Sequence, residues 1–198
     1  MKQRIINGPA LRVFLDRLDA AFARPGRLYL VGETTQVYEG WRPWTSQIEC
    51  TADVAPADRP AFDQALQNLS AETGYYVIES SPADIIPLPE GYQARARPAL
   101  RPDTEPRTHL QVYHFDPYSV AFRFIARGDE PDYHLVLLYQ ERGWITWEEM
   151  QAHLQALLPR FTSETIQQDP AEFRRKYKGL LQMAQAIRAR TIHRHTPA

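Results

Sequence analysis

Two features of this sequence have residue types and a spacing that could support catalysis or ligand binding. They are a glycine turn and a pair of side chains that carry oxygen atoms. The apolar run Leu28–Val31 predicts a buried strand that ends at Gly32, and a short helix can follow. Backbone N–H groups at such a turn can hold phosphate oxygens. Gln47 and Glu49 are one residue apart where a second strand is predicted over 48–54. Side chains at this spacing point to the same face of a strand, where their oxygens can coordinate Mg²⁺.

The elements that position these groups alternate between helix and strand. The predicted order is helix, strand, helix, strand, helix, strand, a proline-rich segment, a strand and then helices. This order predicts an α/β (α+β) fold in which helices flank a small mixed sheet and a helical portion follows. We expect the α/β core to cover 1–115 and the helical C-terminal portion to cover 116–198.

The composition excludes several classes of protein. With 43% hydrophobic and 24% charged residues, the chain is neither disordered nor fibrous. No uninterrupted apolar run approaches the roughly 20 residues that a spanning helix needs, and residues 1–8 lack the apolar stretch of a secretory signal. We therefore expect a cytoplasmic protein with no membrane partner. Cys50, the single cysteine, cannot form an internal disulfide and is interpreted as a small buried residue.

The charge is unevenly distributed along the chain. Residues 171–198 hold seven Lys or Arg and one Glu, a net charge of +6, whereas the rest of the chain carries −7. The predicted last helix places its apolar residues on one stripe, so its basic residues are displayed elsewhere on its surface. Such a face is either simply solvated or binds nucleic acid phosphates. Residues 171–195 are therefore the candidate surface for a nucleic acid or protein partner.

Three stretches resemble nucleotidyltransferase-like proteins, especially a small bacterial branch related to toxin and antibiotic-modifying types. In the first, 28–49, a strand leads through a glycine turn and a short helix to a strand that carries Asp-x-Asp or Asp-x-Glu in the family. The second, 76–92, resembles the segment after the second core helix. The third, 109–132, contains a strand, Asp-Pro, a helix ending in Ala-Arg-Gly, and then Asp. The resemblance spans 10–145 and implies a nucleotidyltransferase-like fold.

The resemblance also implies roles for particular residues. Glu49 and Asp84 are the implied catalytic acids, and Glu49 and Gln47 are the implied metal ligands, with Mg²⁺ as the cofactor if the protein is active and none otherwise. The implied nucleotide-binding residues are Gly32, Glu33, Thr34, Gln47 and Arg123.

Several positions depart from the family pattern. Glu33 replaces a small residue in the glycine turn, and its charge would repel a phosphate there. Gln47 replaces the first carboxylate, and an amide oxygen does not neutralise Mg²⁺. Arg123 replaces a common Lys, and Leu135 replaces an acid that often follows Asp132. These departures predict a site that has lost metal-dependent transfer.

Three functions remain open from the sequence. The first is a degenerate nucleotidyltransferase-like protein that binds a nucleotide or a partner. The second is an active, atypical metal-dependent nucleotidyltransferase. The third is a nucleic-acid-associated component of a toxin–antitoxin pair. Plainer interpretations also stand: Glu33 and Glu49 as polar residues at the sheet end, Asp84 as a solvated turn residue, and Trp41 and Trp44 as anchors of a loop.

Overall fold

The structure is a computed structural model that describes residues 4–100, 107–161 and 168–194, with side chains described as far as Arg190. The chain divides into two compact units. The first comprises Met1–Ser81 and Gln93–Asp116, and the second comprises Pro82–Tyr92 and Pro117–Ala198. The chain passes between the units three times, whereas the sequence predicts a single boundary at 115/116. The last passage, at Asp116 and Pro117, is next to that boundary.

The first unit is built on a mixed five-stranded sheet with the order β5-β4-β2-β7-β6. Its strands are β2 (Gly26–Leu30), β4 (Gln47–Val54), β5 (Tyr76–Glu79), β6 (Arg97–Pro98) and β7 (Leu110–His114), and the short strands β1 (Ile6–Asn7) and β3 (Trp44–Thr45) form a separate two-stranded sheet. Strand β2 is antiparallel to β4 and parallel to β7. The end of β2 and the start of β4 therefore lie at the same end of the sheet.

Helices α1 (Gly8–Phe22), α2 (Glu33–Tyr38), α3 (Arg59–Thr73) and α4 (Tyr92–Arg95) connect these strands. The core contains the apolar stripe of α1, Phe62 and Leu69 of α3, and Leu28 and Ile48 of the sheet. The helix boundaries follow local signals in the sequence. Asn7 caps α1 by accepting a hydrogen bond from the N–H of Ala10, and Gly74 ends α3 with a φ of 69°.

The second unit is helical. Its helices are α5 (Pro117–Arg127), α6 (Glu130–Glu141), α7 (Trp147–Leu157) and α8 (Pro170–Arg194). Helix α5 is its centre, because every residue from Pro117 to Ala126 is buried and both α6 and α8 pack against it. Thr146 caps α7, since its Oγ1 accepts from the N–H of Glu149. The reciprocal bond of a capping box is not formed, because the N–H of Thr146 donates to Tyr118 Oη instead of to the Glu149 carboxylate.

The predicted fold class is confirmed: helices flank a small mixed sheet, and a helical C-terminal portion follows. Among the described residues, no helix combines the length and the apolar character that crossing a bilayer demands.

Candidate functional site

The glycine turn between β2 and α2 is a tight β-turn over Val31–Thr34. The N–H of Thr34 donates to the carbonyl of Val31 at 3.2 Å, and Gly32 has φ 59° and ψ −125°. This is the conformation of the first central residue of a type II′ turn, which favours glycine because it has no Cβ. The glycine therefore sets the angle at which α2 leaves the strand.

Strand β4 is joined to this turn through Glu49. The carbonyl of Glu49 accepts from the N–H of Val31 at 3.0 Å, and the N–H of Glu49 donates to Thr34 Oγ1 at 2.7 Å. Thr34 is fully buried, so this second bond is shielded from water. The sheet therefore places the turn of Gly32 beside the strand that carries Glu49.

The Glu49 carboxylate lies at this end of the sheet with only 6% of the residue exposed. Its Oε1 accepts a hydrogen bond of 2.7 Å from Ser80 Oγ, and Ser80 directly follows β5, the neighbouring strand. Main-chain pairing places Ser80 there, because its N–H donates to the carbonyl of Cys50. The neighbouring strand thus brings a hydroxyl to Glu49. Ser80 is not among the site residues predicted from the sequence, although its position just after a predicted strand is a usable signal.

Glu33 opens helix α2, but its side chain points toward the segment that leads into β4. Its Oε2 accepts from Thr45 Oγ1 at 3.1 Å, and its Oε1 lies 3.5 Å from Arg42 Nη2. The pairing with Arg42 offsets the negative charge that the sequence places at the turn. Gln47 is half-buried at the start of β4, and its N–H donates to Thr45 Oγ1 at 3.3 Å.

A buried histidine lies at the same end of the sheet. His114 ends β7 in register with Leu30 of β2, and its residue is 1% exposed. Its Nδ1 is 3.3 Å from Thr35 Oγ1, and its Nε2 is 2.8 Å from Glu39 Oε1. His114 is not among the site residues predicted from the sequence, because its partners are distant in sequence and only the parallel pairing of β2 and β7 brings them together.

Asp116 lies two residues beyond β7 and is also buried. Arg95 donates to both of its carboxylate oxygens, with Nε to Oδ1 at 2.9 Å and Nη2 to Oδ2 at 3.1 Å. This two-pronged geometry is typical of strong arginine–carboxylate pairs. Asp116 directly precedes α5, which begins at Pro117. Its pairing with Arg95 was not predicted.

Cys50 lies next to Glu49 along β4 but on the opposite, core-facing side of the sheet. Burial raises the pKa of its thiol to about 12, with smaller contributions from Glu79 and Glu49. The thiol therefore stays protonated at physiological pH and cannot act as a nucleophile. The interpretation of Cys50 as a small buried residue is confirmed.

The two remaining candidate residues belong to the second unit. Asp84 ends a short 3₁₀ turn over Pro82–Asp84, and Arg123 is a buried residue of α5. The turn and α5 pack against each other. In α6 of the same unit, Asp132 accepts from Arg127 Nε at 2.9 Å and from its Nη2 at 2.6 Å. Leu135, where the family often has an acid, is buried.

The described part of the chain holds no group of three or more His, Cys, Asp or Glu side chains arranged to bind a metal ion. The groups that gather at one end of the first unit's sheet are instead a glycine turn, the buried carboxylates of Glu49 and Asp116, the buried imidazole of His114 and several hydroxyls. Comparison of the chain with protein-family models, with curated proteins and with solved structures gave no match in any of the three.

Proposed function

We propose that this chain is a nucleotidyltransferase-like protein that has lost efficient metal-dependent transfer and acts as a binding module, with nucleotides as the first ligand class to test. One observation carries the proposal. The residues of the turn at Gly32 form hydrogen bonds with both the N–H and the carbonyl of Glu49. The Glu49 carboxylate, in turn, accepts a hydrogen bond from the Ser80 hydroxyl, which follows the neighbouring strand.

Support for the scaffold comes from the order of its parts. A helix, a strand, a glycine turn, a short helix and a second strand with Gln47 and Glu49 follow one another, and the two strands are sheet neighbours. Gln47 and Glu49 are two positions apart, so they lie on the same face of β4, as the two metal-binding positions of a transferase would. This order is what the resemblance implies for residues 28–49.

Support for lost transfer comes from charge. Metal-assisted phosphoryl transfer uses carboxylates to hold the ions that neutralise the transferring group. Gln47 supplies an uncharged amide and Ser80 an uncharged hydroxyl, so Glu49 is the one carboxylate of this trio. Glu33 is engaged with Arg42 and Thr45. A cytoplasmic location, where nucleotides are abundant, is part of the proposal.

Calorimetric titration of ATP, GTP, CTP and UTP, first with Mg²⁺ and then with EDTA, tests the proposal. A binding module should bind a nucleotide with similar affinity under both conditions. The Glu33→Gln variant should tighten binding by about threefold, because it removes a negative charge beside the turn. Glu72→Gln is the matched control, since Glu72 is also paired with an arginine but is exposed on α3. Its affinity should equal that of the wild type.

The alternative of an active atypical transferase predicts a different result. Binding that requires Mg²⁺ and disappears in Glu49→Ala would replace the binding-module proposal with the enzyme. Gln47→Asp restores a second carboxylate, so it should introduce Mg²⁺-dependent binding into a degenerate site. Gln111→Asp makes the same change on β7, where Gln111 is exposed, and should have no such effect. Absence of binding under every condition would reject nucleotides as the ligand.

A further inference from the structure

Helix α8 has two halves that are used differently within the second unit. In its first half, Phe173, Tyr177 and Leu180 are buried. The ring of Phe173 packs against those of Phe161 and Phe122 with centroid distances of 4.8 and 6.0 Å. The first half is therefore an integral part of the helical core.

The second half extends beyond this packing. Every residue from Gln185 to Arg190 is exposed, and no residue from Leu181 to Arg190 is fully buried. The helix continues here on intrinsic propensity, because Ala184, Ala186 and Ala189 have the residue type that favours helix most strongly. A helix that persists without packing presents its surface to other molecules.

One exposed line of side chains connects the two halves. The outer stripe of α8 consists of Arg174, Lys178, Gln182, Gln185 and Arg188. Their spacing of four, four, three and three residues keeps them on one side of the helix, and the stripe is about 21 Å long at the rise of an α-helix. The stripe contains no acidic residue.

The cations of the outer stripe differ from their neighbours in their pairing. Lys176 and Arg175 lie 3.2 and 3.9 Å from the carboxylate of Glu172. Within the described ranges of the chain, Arg174, Lys178 and Arg188 have no acidic side chain within 4.0 Å. Their charge is therefore available to an anion on another molecule. Because the rest of the chain carries a net charge of −7 and repels polyanions, a polyanion is attracted to this segment rather than to the rest of the protein.

We propose that the outer stripe of α8 is a docking surface for duplex DNA. An α-helix has a diameter of about 10–12 Å with its side chains, which matches the roughly 12 Å width of the B-DNA major groove. Lysine and arginine neutralise backbone phosphates, and glutamine hydrogen-bonds base edges in that groove. The stripe offers both kinds of side chain, with Gln182 and Gln185 between the cations.

Two other anionic partners fit this surface less well. Double-stranded RNA has a deep and narrow major groove that side chains do not read. A membrane-bound helix needs a broad apolar face with Leu, Phe or Trp. From Gln182 to Arg190 the larger apolar residues are Met183 and Ile187, and the others are alanine, glutamine or arginine. Charge complementarity and groove width together favour duplex DNA.

Fluorescence anisotropy with a labelled 20-base-pair duplex tests this proposal on the full chain at several salt concentrations. The test variant is Lys178→Gln/Arg188→Gln, which removes two charges but keeps residues of good helix propensity. The control variant is Arg27→Gln/Arg142→Gln, because both arginines are exposed and lie outside α8. Circular dichroism checks that each variant keeps the helix content of the wild type.

We expect the test variant to raise the Kd about tenfold or more, with a slope of log K against log salt that is less steep by about 1.8. The control should change the Kd by less than about threefold. Equal effects of the two variants, or no salt-dependent binding by the wild type, would overturn the proposal. Tighter binding to duplex RNA or to anionic lipid vesicles than to DNA would also overturn it. This test is independent of nucleotide binding at Glu49.

Discussion

Two buried carboxylates of the first unit, one near each end of the sheet, have different partners. At one end, Asp19 of α1 accepts hydrogen bonds from the N–H groups of Thr108, His109 and Leu110, where β7 begins. At the other end, Glu49 accepts from the hydroxyl of Ser80. Backbone donors are held by the chain itself, whereas a hydroxyl can rotate and be replaced by a ligand. The first arrangement fixes the fold, and the second suits binding.

The glycines at the two ends differ in the same way. Gly26 begins β2, and a Cβ added to it would lie 2.8 Å from Val54 Cγ1 and 3.3 Å from Leu110 Cδ2. Gly26 is therefore required by packing. Gly32 is required by its backbone, since its φ is 59° and its ψ is −125°. Side-chain packing therefore requires the glycine at one end of the sheet, whereas the backbone conformation of a turn requires the glycine at the other.

The largest effect is expected at the Asp19 end. Asp19→Ala leaves three backbone N–H groups without their carboxylate, so we expect a loss of about 3 kcal/mol in the free energy of unfolding, measured in urea. Asp63→Ala is the control, because Asp63 makes an exposed ion pair with Arg59 and should cost less than about 0.5 kcal/mol. Equal losses in the two variants would contradict the structural role of Asp19.

The next effect is expected at the glycine turn. Gly32→Ala should cost about 2 kcal/mol, because an alanine at this φ and ψ is strained. Gly40→Ala is the matched control: Gly40 has φ 72°, and a Cβ there meets nothing within 4 Å. It should cost about 1 kcal/mol. If Gly32→Ala proved no more costly than Gly40→Ala in urea unfolding, the turn would not constrain this end of the sheet.

A smaller effect is expected for the hydroxyl that meets Glu49. Ser80→Ala should lower the free energy of unfolding by about 1.5 kcal/mol, because the lost hydrogen bond has a carboxylate as its acceptor. Ser70→Ala is the control, since Ser70 donates to the neutral carbonyl of Tyr75 at 2.7 Å, and it should cost about 1 kcal/mol or less. A larger loss for Ser70 than for Ser80 would argue against a charge-assisted bond at Glu49.

The smallest effect concerns Cys50, which lies on the core face behind Glu49. Cys50→Ala should cost about 1 kcal/mol at pH 7 because it leaves a small cavity. Burial raises the thiol pKa from 9.0 to about 12. Above pH 9 the unfolded chain releases this proton while the native state keeps it, so the contribution is complete below pH 9 and is lost as the pH rises through about 12.

Unfolding of the wild type and of Cys50→Ala at several alkaline pH values measures this loss. The difference in stability between the two proteins should shrink as the pH rises above 9. A difference that stays constant between pH 8 and pH 11 would mean that the thiol pKa is not raised by burial.

Local signals predicted much of the fold. The cap at Asn7, the glycine that ends α3 and the cap at Thr146 are each set by residues within four positions of one another, and all three are present. The candidate site was predictable only in part. The turn at Gly32 and the strand at Glu49 could be predicted because they are close in sequence and belong to the same connection between β2 and β4.

The remaining parts of the site depend on contacts between distant residues. Ser80 is 31 positions from Glu49, and His114 is 79 positions from Thr35. No periodicity or local motif encodes such a pair, because strand order and register decide which side chains become neighbours.

The sequence by itself determined the longer helices, the caps at Asn7 and Thr146, the strand-to-helix turn at Gly32 and the concentration of positive charge in α8, because each arises from neighbouring residues. It did not predict α4, which lies in the proline-rich segment. The tertiary structure decided which carboxylates are buried and which donors form hydrogen bonds with them. Asp19 is bound by the backbone of β7 and Glu49 by the hydroxyl of Ser80. The physical reason is that burial and long-range hydrogen bonds arise only once the strands have paired, because an unpaired strand has no neighbouring strand to supply hydrogen-bond partners.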